Sequence, residues 1–132
     1  WTALGRRRPL ITIVASGDAV VAVWRYRRAR ALPGGETQLA AAGQSLATAT
    51  RRRDPGVQVI RTKIVSLAGT QGIELDAIER IRGALRRVRS THLYLGHSEI
   101  VLEEYSPLDV FHAVDHSVFS PLRRSLRITG IG

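Results

Sequence analysis

Cysteine and methionine are both absent from these 132 residues. Disulfides, thiolate nucleophiles and thiolate metal ligands are therefore excluded, and cysteine usage leaves the redox compartment open. Aromatic residues are scarce, at 5%, and Lys63 is the single lysine. No Gly-x-Ser-x-Gly elbow and no Walker phosphate loop occurs. Ribonucleoprotein-type and helix-turn-helix signatures are also missing. The chain has no internal repeat, no low-complexity segment and no linker long enough to separate two domains. Its longest apolar run, Pro9 to Trp24, is shorter than the ~20 residues that a spanning helix needs, and Asp18 interrupts it, where a charge is costly in lipid. No small-x-small cleavage site follows the run, so a signal peptide fits poorly. Membrane insertion is thus disfavoured; a hairpin, a helix and a membrane-associated segment are the three readings of 9–24.

What is present is the composition of a folded protein, 44% hydrophobic and 23% charged. The length suits one domain with a real core. We expect a basic arm at 1–8 and a single α+β domain over 9–132. A chain starting at Trp1 reads as a trimmed product. The net charge is +9, and arginine supplies all but one of its cations. GC-rich coding would favour arginine. So would a surface built from forked, planar donors that hold phosphates or carboxylates bidentately. Either origin leaves a surface that draws polyanions at low salt.

The pattern predicts an N-terminal hairpin, with strands at 10–15 and 20–26 around Ser16-Gly17-Asp18. A helix over 18–30 competes, but the density of valine favours strand. A helix follows Leu32-Pro33-Gly34-Gly35-Glu36, over 36–50, weakened by Gly43. After Asp54-Pro55-Gly56 comes a strand at 57–67. Leu75, Ile78, Ile81, Leu85 and Val88 fall at helical spacing, with acids early and arginines late, so 73–89 reads as a helix. Strands follow at 91–95 and 99–105. Ser106 and Pro107 suit the start of a third helix, 107–119, and 125–132 reads as a short last strand. The expected fold is a mixed β-sheet with a β-α-β unit at about 57–95, an N-terminal hairpin and three helices.

Two kinds of site emerge. Arg25, Arg27 and Arg28, with Arg30, interleave with Trp24 and Tyr26; Arg51, Arg52 and Arg53 form a second run. Guanidinium groups beside aromatic rings suit phosphate contact and base stacking. Other basic runs are Arg6–Arg8, Arg86/Arg87/Arg89 and Arg123/Arg124/Arg127. Separately, Asp109, His112 and His116 step by three and four, the spacing at which one helical face presents ligands to a cation. His92, His97 and Glu99 lie upstream. Ala113 stands where a zincin-type motif has glutamate, so an ordinary solvated face explains the pattern as well. Glu99 and Glu103 share one face of a strand and would supply a base. The glycines of 32–36 are a weak phosphate-loop signal.

We therefore expect a non-enzymatic, arginine-rich binding or assembly subunit that contacts nucleic acid or acidic surfaces of partner subunits, without a cofactor. One alternative is a metal-dependent enzyme on the Asp109/His112/His116 face. The other is a homo-oligomeric structural protein.

Overall fold

A computed structural model describes residues 10–15 and 19–128. The basic arm at 1–8, the turn at 16–18 and the end of the expected last strand lie outside the described residues. Six strands form one sheet: β1 (Ile11–Ala15), β2 (Ala19–Arg27), β3 (Gln58–Leu67), β4 (Thr70–Ile81), β5 (Ala84–Leu95) and β6 (Ser98–Pro107). Their order is β1-β2-β6-β5-β4-β3. Every pairing is antiparallel. The protein is thus α+β, as expected, but its sheet is not mixed.

The largest correction concerns 73–89. These residues are not a helix, and no β-α-β unit forms over 57–95. They make most of the β4–β5 hairpin, in which Ile81 pairs with Ala84 across Arg82 and Gly83. Both loop residues have positive φ, 53° and 81°, as a two-residue hairpin loop matched to the strand twist requires. Ala68 and Gly69 repeat the device between β3 and β4, with φ of 53° and 73°. The run Ile73-Glu74-Leu75-Asp76-Ala77 alternates strictly, and its period is that of a strand. Its acids point to a sheet face that is itself covered, so they are buried, and a buried charged face is what the helical reading did not anticipate.

The first face of the sheet carries helix α1 (Gly35–Arg53), which lies over β3 and β4. Its buried positions are Leu39, Gly43, Ala47 and Thr50, a stripe narrow enough for close approach. Gly43 faces Thr62, where an added Cβ would sit 3.4 Å from the hydroxyl oxygen. Leu75, Ala77 and Ala47 form the core there, and Ala22, Trp24, Tyr26 and Val101 form a second cluster farther along the face.

The second face carries a composite helix, α2, over 108–125. It winds successively as a 3-10 turn (Leu108–Val110), an α turn (Phe111–Val114), a π turn (Asp115–Phe119) and an α turn (Ser120–Ser125). Helical winding is thus present where the third helix was expected and runs past Ser120-Pro121, and Ser125 ends it where a strand was expected to begin. Phe111 and Phe119 insert among Ala19, Val21 and Leu102. Beside that apolar patch lies a buried ion network. Glu104, fully buried, accepts from Arg89 Nε and Nη2 at 2.9 and 3.1 Å and from Arg123 Nη1 at 2.8 Å. Arg123 also reaches Glu74 at 2.8 Å, and Arg89 reaches Asp115 at 2.7 Å. Burial opposes the charge on Arg89, but hydrogen bonds to Glu104 and Asp115 overcome it and raise the pKa of the guanidinium. The network joins α2 to the middle of β4, β5 and β6.

Candidate functional site: an anchored arginine beside a cleft

The arginines separate into two populations. Arg61, Arg87, Arg89 and Arg123, with Lys63, are neutralised by Glu74, Asp76, Glu104 and Asp115. Arg87, Arg89 and Arg123 are largely covered and hold the second face together, whereas Arg61 and Lys63 make exposed pairs on β3. Arg25, Arg27, Arg30, Arg51, Arg52, Arg53 and Arg82, also exposed, have no ion pair among the described residues.

The exposed group does not gather into one patch. Arg25 and Arg27 leave the end of β2, next to the β5–β6 turn. Arg51, Arg52 and Arg53 leave the far end of α1 (Gly35–Arg53), a helix about 27 Å long at 1.5 Å of rise per residue. There β3 begins beside Ile78, the charge of Arg53 acts on the buried carboxyl of Glu79 on the face that α1 covers, and Arg82 lies in the β4–β5 loop. Strand alternation also separates Arg25 and Arg27 from Trp24 and Tyr26, which point to the opposite face. Trp24 and Tyr26 are only 2% and 7% exposed. Their rings are core, and the open stacking platform expected from the interleaved sequence is not formed.

Arg28 is different. A relay on the first face holds it. Ser90 and His92 project from β5 on the same side, and Ser90 Oγ lies 3.1 Å from His92 Nε2. His92 Nδ1 lies 2.6 Å from Glu99 Oε2. Arg28 Nε donates to Glu99 Oε1 at 2.9 Å, and its guanidinium carbon sits 4.8 Å from the centroid of the Tyr26 ring. Its backbone N–H donates to the His97 carbonyl at 2.7 Å. Burial works against ionisation of Glu99, yet the hydrogen bond and charge of His92, then those of Arg28, hold its carboxyl below the usual carboxylate range. With Glu99 ionised, His92 Nδ1 donates, and in the neutral ring Nε2 then accepts from Ser90.

Beside this relay is a cleft of about 270 Å³, lined by Arg28, Ala29, Arg30, Ala31, Leu32, Pro33, Tyr94 and Glu99. Tyr94 stands directly opposite Glu99 in the ladder. Burial, and then the Glu99 charge, raise its phenol pKa, so it remains a neutral donor. The glycines of 32–36 do mark a helix start: Gly34 is the N-cap of α1, Gly35 has φ of 78°, and the Gly34 backbone N–H donates to Gln38 Oε1 at 3.0 Å.

The other expected groups lie apart. Glu99 and Glu103 do share the first face, but four residues of strand separate them by about 13 Å. Asp109, His112 and His116 are exposed on α2. The winding changes between them, so the even α-helical stacking assumed from their spacing does not hold. Among the described residues, no group of three or more His, Asp or Glu is gathered to hold a metal. His97 is exposed in the β5–β6 turn. The pairing of Ser90 with His92 escaped sequence reading because Ser90 sits beside the segment taken for a helix. Ser-x-His on a strand was the available signal.

No protein-family model matches the chain, and no curated protein is similar to it. Solved structures do resemble it. One is a protein of unknown function from Pseudomonas aeruginosa, PA94, described as a putative regulator. It is 14% identical, with a TM-score of 0.66 over 92% of this chain and 82% of that one. Another is cyanobacterial PsbP (CyanoP) from Synechocystis sp. PCC 6803. It is 11% identical, with a TM-score of 0.59 over 87% of this chain and 78% of that one. The class defined is therefore an α+β fold on a six-stranded antiparallel sheet. At these identities the likeness is one of fold alone.

Proposed function

We propose that this protein is a non-enzymatic binding or assembly subunit that holds a polyanion, nucleic acid in the first instance, at the end of the sheet where α1 stops. The observation that carries the reading is the division among the arginines. Arg61, Arg87, Arg89 and Arg123 pair directly with this chain's own carboxylates, while Arg51, Arg52, Arg53 and Arg82 are exposed at one end and form no ion pair among the described residues. Affinity at such a surface comes mainly from counterion release and falls steeply with salt. Arg25 and Arg27, at the far end, form a lesser contact that a long strand reaches as well. Acidic faces of partner subunits are the other class of ligand for the same arginines.

The test is fluorescence anisotropy with a single-stranded oligonucleotide from low to moderate salt. Reversing Arg51, Arg52 and Arg53 to glutamate is expected to weaken binding at least tenfold at low salt. The slope of log affinity against log salt should fall by about 2, at ~0.7 per lost phosphate contact. Unchanged affinity and slope overturn the reading.

A homo-oligomeric structural subunit is the second reading. Its support is at the sheet edges, where Ile11 and Ile13 of β1, and Ile60 and Ile64 of β3, are exposed. Apolar edge strands pair readily with another copy. Light scattering that gives the monomer mass across a wide concentration range removes it.

A further inference from the structure

We propose that the cleft between residues 28–33 and Tyr94 is a specific site for the oxyanion group, carboxylate or phosphate, of a small ligand, gripped by the outer edge of Arg28. The site is separate from the α1 arginines, so it stands whether or not those bind a polyanion.

The argument rests on how Arg28 is held. A free arginine spends rotamer entropy to bind an anion. Here that entropy is already spent. The ring of Tyr26 fixes the guanidinium plane, and Glu99 fixes the Nε end. Glu99 cannot swing away, because His92 holds its other oxygen and Ser90 contacts the far side of His92. Both Nη nitrogens of Arg28 have no partner among the described residues. They form the paired edge that meets two oxygens of one carboxylate or phosphate. Glu99 is the acid of the site, and its charge is already matched by Arg28 and hydrogen-bonded to His92, so it offers little opposition to an anion. Arg30 lines the same cleft with no ion partner among the described residues, and Tyr94 supplies a neutral hydroxyl.

The rest of the lining sets the ligand class. Ala29, Ala31, Leu32 and Pro33 are apolar, so the ligand carries a compact apolar body behind its charged group. At about 270 Å³ the space is just under the ~300–1,000 Å³ typical of drug-sized sites. That space seats a fragment such as an aryl acid beside Arg28.

Benzoate, phenyl phosphate and neutral benzamide are the probes, titrated into the isotopically labelled protein and followed by amide and side-chain NMR shifts. Benzoate or phenyl phosphate is expected to give saturable shifts confined to 28–33, Tyr94 and Glu99, with benzamide at least tenfold weaker. The tighter of the two acids identifies the ligand as carboxylate or phosphate. Arg28→Lys keeps the charge and loses the fork, and should weaken the better acid about tenfold. The glutamate triple variant at Arg51, Arg52 and Arg53 should bind it unchanged, so this site and the polyanion surface can fail separately. Shifts spread evenly over all exposed arginines, equal binding by benzamide, or unchanged affinity in Arg28→Lys each overturn the proposal.

Discussion

Glu103 should make the stability of this protein fall as pH rises through neutrality. The side chain is 4% exposed and lies between Ala22 and Ser90 in neighbouring strands. Its Oε1 has no hydrogen-bond partner among the described residues. Burial, and then the charge of Glu79, push its pKa up to about 7 from 4.5, against a partial pull from Arg53. The unfolded chain therefore releases this proton near pH 4.5, while the folded chain keeps it until about pH 7. Between those values the folded state binds more protons, so stability declines with rising pH. A displacement of about 2.5 pH units at 1.36 kcal/mol each gives a loss of about 3 kcal/mol, complete above pH 7. Glu103→Gln keeps the shape and cannot ionise, so it should lack this loss. Urea unfolding followed by circular dichroism at pH 5 and pH 8 measures it. Because the other groups are common to both proteins, the quantity that decides is the change in their stability difference between the two pH values. Part of the loss already lies below pH 5, so a change of about 2–3 kcal/mol in favour of the variant at pH 8 is expected; a change below about 0.5 kcal/mol refutes the reasoning.

Further perturbations test the packing. Glu104→Ala leaves Arg89 and Arg123 buried without their shared carboxylate and should cost about 3–5 kcal/mol by urea unfolding. Glu99 and Asp115 both have depressed pKa values. Their stabilisation is present above pH 4.5 and lost as pH falls through the folded-state values, so an acid titration should show stability dropping below that point, less steeply in Asp115→Asn. Gly72→Ala drives a Cβ into the carbonyl oxygen of His92; a loss of more than about 2 kcal/mol is expected, with the His92 ring resonances displaced.

Where local chemistry decides structure, the sequence was readable. Valine-rich strands gave the N-terminal hairpin, the alanine-rich helix was placed within a few residues, and Pro107 marked the onset of helical winding. Reading failed where two periodicities overlapped. Leu75, Ile78 and Ile81 lie at helical spacing, but Ile73, Leu75 and Ala77 also alternate with Glu74 and Asp76. Only the arginines of β5 and α2, distant in sequence, tell which period applies, because they make it possible to bury those acids. The candidate site was half legible. Arg28 and Glu99 were both singled out, each for a different role, yet nothing local joins them; their meeting depends on β6 inserting beside β2. The two arginine runs singled out in the sequence stay apart for a geometric reason, since most of the chain between Arg30 and Arg51 is the helix α1.

The strand order has a consequence for assembly of the chain. β6 is the last strand made, yet it is the seam between β1–β2 on one side and β5–β4–β3 on the other. Until Ser98–Pro107 has been synthesised, the earlier strands amount to a two-stranded ribbon and a separate three-stranded meander with no strand in common. Commitment to the native state must therefore wait for the final quarter of the polypeptide, and a ribosome-stalled product ending before residue 98 should be caught by proteases as two loosely tethered pieces.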